Sequence, residues 1–218
     1  MTRRGVIVKV LLWCACLAPL ALLVLRAAEI HGLSLGANPQ EEIRDVCGKT
    51  GLNLLVLTLC ITPLRRSTGI NRLIAFRRLL GLFAFFYVAL HFASYLLLDL
   101  GLQWSNLFAD IAKRPYITLG FTALVLLIPL AATSTHALQR RLGRNWVKLH
   151  RLIYPIAVLG LVHYWWQIKS KADVADPLLY AVLLAALFGA RVWHWRERRA
   201  SVDAKPAVPP AYQRVEPP

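Results

Sequence analysis

Six apolar stretches separated by short polar connections dominate the pattern of this chain. They cover approximately residues 6–25, 52–64, 79–98, 116–132, 150–168 and 178–193. Several approach the roughly 20 residues that a helix needs to cross a bilayer. No stretch alternates with a period of two, so a β-barrel is a poor fit and a helical bundle remains. The pattern predicts an all-α integral membrane protein with six transmembrane helices.

The composition agrees with that class of protein. Hydrophobic residues make up 57% of the 218 residues and charged residues 17%, against roughly 45–50% and about 25% in soluble domains. The first apolar stretch follows Thr2-Arg3-Arg4 and could be interpreted as a cleaved signal peptide. No A-x-A-like cleavage site closes it, and five more stretches follow. A first transmembrane helix is therefore the better interpretation.

The distribution of charge predicts the orientation of the helices. The chain carries 26 Lys and Arg against 11 Asp and Glu. If six spans begin in the cytoplasm, 19 of the 26 basic residues and only three of the 11 acidic residues lie on the inside. This asymmetry follows the positive-inside rule and predicts that both termini are cytoplasmic. Topology and contact with anionic lipid thus explain the basic charge without nucleic-acid binding.

The chain divides into a six-span domain over residues 1–199 and a Pro-rich tail over residues 200–218, which we expect to be disordered and cytoplasmic. No G-x-G-x-x-G motif and no P-loop appear in the sequence. We therefore expect no built-in nicotinamide- or flavin-binding Rossmann domain. Any chemistry must occur within the bundle or be shared with another protein.

Two histidines lie inside apolar stretches, where ionisable residues are costly and indicate function. The number of residues from Arg78 to His91 in the third stretch equals the number from His150 to His163 in the fifth stretch. A helix rises about 20 Å over that interval, so both should lie at one depth in the outer half of the membrane. Two facing imidazoles at one depth could hold a six-coordinate b-type haem between the third and fifth helices. The alternative is a structural hydrogen bond to a neighbouring helix.

A second candidate site lies near the inner boundary. His150 opens the fifth stretch, but the matching positions of the third stretch carry Arg77 and Arg78. A complete second pair of histidines is therefore not visible. His150 could still ligate an inner haem, and the arginines would suit a haem propionate, a quinone headgroup or a flavin phosphate. We expect the remaining three histidines not to be ligands, namely His31, His136 and His194.

Four segments resemble the MsrQ family, formerly YedZ, within the ferric-reductase-like transmembrane superfamily. The segments are GLSLGANPQEEIRDVCGKTGLNLLVLTLCITPLRR (32–66), RRLLGLFAFFYVALHFASYLLLD (77–99), KRPYITLG (113–120) and LAATSTHALQRRLGRNWVKLHRLIYPIAVLGLVHYWW (130–166). Each segment alone is weak evidence, and the combination is specific. The C-terminal tail shows no match.

The resemblance implies a haem-binding membrane subunit of the bacterial methionine-sulfoxide reductase system. Family members bind b-type haem through histidines that correspond here to His91, His150 and His163, and FMN has also been attributed to them. They lie in the bacterial inner membrane and take electrons from the quinone pool or from a cytoplasmic flavin reductase. They pass these electrons to MsrP, a periplasmic molybdopterin enzyme that repairs oxidised periplasmic proteins. This chain would then transfer electrons without itself reducing methionine sulfoxide.

Two other functions stay open from the sequence. One is a stand-alone ferric or oxygen reductase of the cytochrome b type, which would need the flavin–nicotinamide domain that the sequence lacks. The other is a membrane transporter or scaffold without redox chemistry, in which the histidines pack or relay protons. An absorption spectrum separates this last function from the two redox functions.

Overall fold

The computed structural model describes residues 3–168 and 174–203 and is helical throughout, with no β-strand in those ranges. Its helices are α1 (Arg3–Ala27), α2 (Pro39–Thr68), α3 (Ile74–Ser94), α4 (Trp104–Lys113), α5 (Pro115–Ala132), α6 (His136–Leu142), α7 (Arg144–Leu149), α8 (Ile153–Trp166) and α9 (Ala175–Asp203). A π-helical turn, Tyr95–Asp99, extends α3, and a 3₁₀ turn, His150–Leu152, joins α7 to α8.

Five helices within these ranges are long and apolar enough to cross a membrane. The candidate spans are Gly5–Ala27, Pro39–Thr68, Asn71–Asp99, Pro115–Ala132 and Ala175–Ala200. The predicted class, an all-α protein with several membrane spans, is confirmed. The fifth apolar stretch instead forms α8, which has only 14 residues and a length of about 21 Å. The count of six spans and the orientation of the termini stay predictions.

Local sequence explains where the long helices begin and end. The side chain of Asn38 caps α2 by accepting a hydrogen bond from the Glu41 backbone N–H, and Pro39 occupies the first turn. The helix ends at Gly69, whose φ of 71° is a left-handed conformation that glycine adopts without strain. Near the start of α8, Pro155 has no N–H to continue the helical bonding, and the preceding turn is of the 3₁₀ type.

A buried tyrosine fastens α1 to α3. The Tyr87 hydroxyl donates to the Cys16 carbonyl at 2.7 Å and accepts from the Leu20 N–H at 3.1 Å. These two backbone groups are one helical turn apart, so the hydroxyl is inserted into the hydrogen-bond ladder of α1 next to Pro19. The insertion couples the first helix to the helix that carries His91.

An arginine and a tyrosine fasten α9 to α2. Pro63 has no N–H, so the Leu59 carbonyl loses its partner within α2. Arg191 supplies the missing donor at 2.7 Å. Nearer the opposite end of α9, Tyr180 donates to the Asn53 side-chain oxygen at 2.7 Å. The two contacts hold α9 along α2 and leave the other face of α2 for the central cavity.

The predicted boundary between domain and tail lies within α9. The helix continues through residues 200–203 to Asp203. Residues 204–218, which make up most of the predicted tail, lie outside the described residues. The structure therefore does not test the expectation of disorder there.

Candidate cofactor site

Four helices form most of the wall of a cavity of about 1140 Å³. The helices form two hairpins, α2 with α3 and α5 with α8, and residues from all four line the space. Its volume slightly exceeds the roughly 300–1,000 Å³ that is usual for ligand and cofactor sites. The apolar part of the wall includes Leu52, Leu124 and Ile156. The rim is charged and includes Arg44, Asp99 and Asp176.

His91 on α3 and His163 on α8 face each other in this cavity. Their ring centroids are 6.0 Å apart and their ring planes cross at 80°. An imidazole nitrogen binds a metal ion at about 2 Å and lies about 1 Å from its ring centre, so two imidazoles on opposite sides of one ion have centres about 6 Å apart. The structure thus brings together the two histidines that the sequence placed at one depth.

A backbone carbonyl fixes each of the two rings. His91 Nδ1 lies 2.9 Å from the Arg44 carbonyl oxygen, and His163 Nδ1 lies 2.7 Å from the Tyr116 carbonyl oxygen. Because a carbonyl only accepts, each Nδ1 carries the proton and donates. The lone pair of each neutral ring is then on Nε2, which is the arrangement typical of metal-ligating histidines.

A glycine lies against each ring. A Cβ at Gly48 would lie 2.8 Å from His91 Nδ1, and a Cβ at Gly120 would lie 2.9 Å from both Nδ1 and Cε1 of His163. A real Cβ atom essentially never lies this close to another heavy atom, so only glycine leaves the space that each imidazole occupies. The two glycines therefore form part of the site.

Arg44 also contributes its side chain to the rim. Its Nη1 donates to both oxygens of Asp99, at 2.6 and 2.7 Å. This ion pair joins the first turns of α2 to the π-helical turn that follows His91. The Arg44 Nε atom is buried and has no hydrogen-bond partner. A buried unpaired donor at a cavity rim is costly and suits an acidic group of a ligand.

The inner candidate residues lie apart from this pair. His150 stacks on Trp146, with ring centroids 3.8 Å apart, and its Nδ1 lies 3.1 Å from the Trp146 carbonyl oxygen. Its Nε2 is buried and unpartnered. Within residues 3–168 and 174–203, no three His, Cys, Asp or Glu side chains come together as a metal site. His150 therefore does not join His91 and His163 around one ion.

The two inner arginines have different surroundings. Arg77 is half-buried, and its charge acts on His150 and on Tyr154. Arg78 is exposed at the start of α3. Of the two predicted cofactor-binding arginines, only Arg77 lies beside the inner histidine.

The other histidines lie away from the cavity. His31 and His136 are exposed. His194 is half-buried on α9, and its Nδ1 is 3.2 Å from a carboxylate oxygen of Glu197. None of the three lines the cavity that His91 and His163 share.

Four positions that shape the site were not among the predicted site residues. They are the carbonyl-bearing residues Arg44 and Tyr116 and the glycines Gly48 and Gly120. A signal for them is present in the sequence. The segment GKTGLNLL, which begins at Gly48, resembles GFTALVLL, which begins at Gly120, and His163 follows His91 by the same offset.

Comparison with known proteins assigns the class that this arrangement represents. Residues 47–161 match the family described as "Ferric reductase like transmembrane component". This match covers α2 from its third turn, through α3 and α5, to most of α8. No solved structure matches the chain significantly.

Three relatives carry the name "Protein-methionine-sulfoxide reductase heme-binding subunit MsrQ". The Ralstonia nicotianae protein is 51% identical over 205 residues, which cover 93% of each chain. The Xanthomonas axonopodis pv. citri protein is 49% identical over 209 residues, 94% of this chain and 95% of its own. The Xanthomonas campestris pv. campestris (strain 8004) protein is 49% identical over 220 residues, 98% of this chain and all of its own. This chain belongs to the MsrQ family of ferric-reductase-like transmembrane proteins.

Proposed function

We propose that this chain is a haem-binding electron-transfer subunit of a methionine-sulfoxide reductase system. The observation that carries the proposal is the pair of imidazoles, His91 and His163, whose centroids lie 6.0 Å apart in the central cavity. The names of its relatives describe haem-binding subunits of such a system. The cofactor would be a b-type haem, which His91 and His163 would hold through their Nε2 atoms.

The residues of the cavity fit a haem on three counts. The two Nδ1–H groups are already bonded to carbonyls, so each ring offers Nε2 to a metal. Gly48 and Gly120 leave room for the rings, and the cavity provides about 1140 Å³. Arg44 Nε is an unpaired buried donor, which suits a propionate. A haem bound there supplies reversible one-electron transfer between its ferric and ferrous states.

The chain's own residues determine how such a group behaves. The carbonyls of Arg44 and Tyr116 hold the tautomers of the two ligands and raise their basicity. Neutral imidazoles add no charge to the cavity, and the leucines of its walls give it an apolar part. Both features, together with the identity of the axial ligands, influence the redox potential of a bound haem.

The inner residues form a second proposed cofactor site. His150 presents a buried and unpaired Nε2, and Arg77 lies beside it, with Arg78 exposed at the same end of α3. A single imidazole with a neighbouring guanidinium suits an acidic or carbonyl-bearing group, such as a haem propionate, a quinone headgroup or the phosphate of FMN. His150 serves there as a further haem ligand or as a hydrogen-bonding group.

The proposed setting is the bacterial inner membrane, with six spans and both termini in the cytoplasm. Electrons come from the quinone pool or from a cytoplasmic flavin reductase, and the recipient is a periplasmic molybdopterin reductase of the MsrP type. The asymmetric distribution of basic residues supports this orientation. In this arrangement the ion-paired rim at Arg44 and Asp99 faces the periplasm.

An absorption spectrum of the purified protein tests the proposal. Protein from haem-replete cells should show a Soret band and, after reduction, sharp α and β bands. His91→Ala and His163→Ala should each remove most of the bound haem, and the exposed control His136→Ala should retain it. A colourless wild-type preparation would overturn the proposal in favour of a transporter or scaffold. Equal loss in all three variants would remove the ligand assignment.

The donor is tested on the same preparation under anaerobic conditions. A reduced quinol analogue, or a flavin reductase with its nicotinamide substrate, is added and the ferrous α band is followed. Reoxidation by a periplasmic molybdopterin reductase with a sulfoxide substrate tests the recipient. Failure of this reductase to reoxidise the chain, with oxygen or ferric iron doing so rapidly, would favour a stand-alone reductase.

A further inference from the structure

The two hairpins around the cavity share one pattern. Gly48, Leu52, Leu55 and His91 line the cavity from the first hairpin. The second hairpin lines the cavity with Gly120, Leu124, Leu127 and His163. Each of these follows the residue of the same type in the first hairpin by the same number of positions. The carbonyls that bind the two rings belong to Arg44 and Tyr116, which are related by the same offset.

Within each hairpin the glycine has a defined relation to the carbonyl. Gly48 lies one turn after Arg44 on α2, and Gly120 lies one turn after Tyr116 on α5. Positions i and i+4 lie above one another on the same helix face. The ring that bonds the carbonyl must therefore pass over the next turn at the position of the glycine. A methyl group there would meet the ring before its Nδ1 reached the carbonyl.

We infer that the cavity is a pseudo-two-fold site built from a repeated helical hairpin, in which Gly48 and Gly120 are positioning residues for the two metal-ligating imidazoles. Each glycine admits one ring to the carbonyl that fixes its tautomer. This inference deepens the proposed function and rests on it for the identity of the metal group. The contact between each glycine and its ring involves only residues of this chain, so it can also be tested on protein without haem.

Substitution by alanine tests the inference with matched controls. Gly48→Ala and Gly120→Ala should each lower haem retention by about tenfold or more, the range found when partners of metal ligands are removed. Gly81→Ala on α3 and Gly189→Ala on α9 should retain haem. At Gly81 the nearest atom to an added Cβ is 3.8 Å away, and at Gly189 none lies within 4 Å. Full haem retention by both site variants, with unchanged spectra, would overturn the inference.

The spectrum distinguishes a positioning role from a general structural role. Any haem that Gly48→Ala retains should resemble that of His91→Ala, with one imidazole ligand and a high-spin component. Haem in Gly120→Ala should resemble that of His163→Ala. A shift of the reduction potential should accompany each change. Loss of haem with the residual spectrum unchanged would contradict positioning and indicate misfolding alone.

A double-mutant cycle on the haem-free protein tests the glycines independently of the haem. Gly48→Ala should lower the thermal midpoint when His91 is present. In a His91→Ala background it should have no such effect, because no ring meets the added methyl and alanine is the better helix former. A His163→Ala background should not relieve the defect of Gly48→Ala. Equal lowering in every background would overturn the inference.

The two proposals can fail separately. If the wild-type chain binds no haem, the proposed function falls, and the cycle on the haem-free protein still decides whether the glycines position the rings. If the wild-type chain binds haem and both glycine variants bind it equally well, the positioning role falls. The proposed function then stands.

Discussion

The two ends of the paired hairpins, called outer and inner after the proposed orientation in the membrane, differ in the symmetry of their side chains. At the outer level, both hairpins contribute a histidine, a glycine and a carbonyl at corresponding positions. At the inner level, the position that corresponds to His150 in the second hairpin is Arg78 in the first. His150 is partly buried, whereas Arg78 is exposed. The residue types of the two hairpins thus correspond at the outer level and differ at the inner level.

This difference suggests that the two levels have different tasks. A symmetric pair of neutral imidazoles suits a metal ion that needs one ligand on each side. A single imidazole with one nearby guanidinium group suits a group with an acidic or polar edge. The outer level is accordingly the proposed haem site. The inner level is the proposed place for a second cofactor or for the entry of electrons.

The largest expected effect separates the two levels directly. His91→Ala or His163→Ala should abolish the low-spin signal of the proposed outer haem, because each removes one of its two proposed ligands. His150→Ala should leave that signal in place and alter only what binds at the inner level. The measurement is the haem-to-protein ratio together with the spectrum of each variant. Loss of the outer signal in His150→Ala would show that the two levels are not separate.

A smaller effect is expected at the outer rim. Asp99→Ala leaves the Arg44 guanidinium, whose side chain is 15% exposed, without its carboxylate partner. Loss of a partner of a partly buried charge should lower the free energy of unfolding by about 1–3 kcal/mol. Because Arg44 also holds His91, the spectrum of the outer haem should broaden. Thermal unfolding in detergent measures the stability, and an unchanged midpoint would contradict this role of the pair.

A substitution at the inner end is expected to have a similar or smaller effect. Arg191→Leu removes the donor to the Leu59 carbonyl, which Pro63 leaves without a helical partner. We expect a loss of about 1–2 kcal/mol in the free energy of unfolding. Arg191→Lys should lose less, since one ammonium can still reach that carbonyl. Neither change should alter the outer haem spectrum. A spectral change equal to that of Asp99→Ala would contradict the independence of the two ends.

The smallest effect is expected from an exposed ion pair at the outer end. Lys49 lies 3.1 Å from Asp176, with side chains 46% and 59% exposed. Solvent screens such a pair, so Lys49→Ala should change the free energy of unfolding by about 0–1 kcal/mol. The same thermal assay provides the measurement. A loss as large as that of Asp99→Ala would show that the burial of a contact at the rim does not determine how much the contact contributes to stability.

The helices and the shared level of the two histidines along the bundle could be predicted because both follow from local patterns. Apolar length identifies the long helices, and equal spacing from the inner boundary places His91 and His163 at one depth. The length of α8 was harder to predict, because Pro155 and the 3₁₀ turn shorten a stretch that is apolar over 150–168. Apolar composition alone does not indicate where helical hydrogen bonding starts.

The carbonyl and glycine partners could not be predicted from the same patterns. A backbone carbonyl has no signature in the residue type, so Arg44 and Tyr116 looked like an ordinary charged and an ordinary aromatic residue. The role of Gly48 and Gly120 becomes apparent only from the imidazole rings that lie against them. The constant offset between the hairpins is the feature of the sequence that connects all four, and it requires comparison of the chain with itself.

Electron paramagnetic resonance of the oxidised protein at low temperature tests the central claim most directly. Two imidazoles bound to one ferric iron with ring planes 80° apart should give a low-spin, strongly anisotropic signal at low field. That signal should disappear in both His91→Ala and His163→Ala and persist in His136→Ala. A wild-type haem that is purely high-spin, or a low-spin signal that survives both substitutions, would contradict the assignment of these two histidines as the pair that holds the iron.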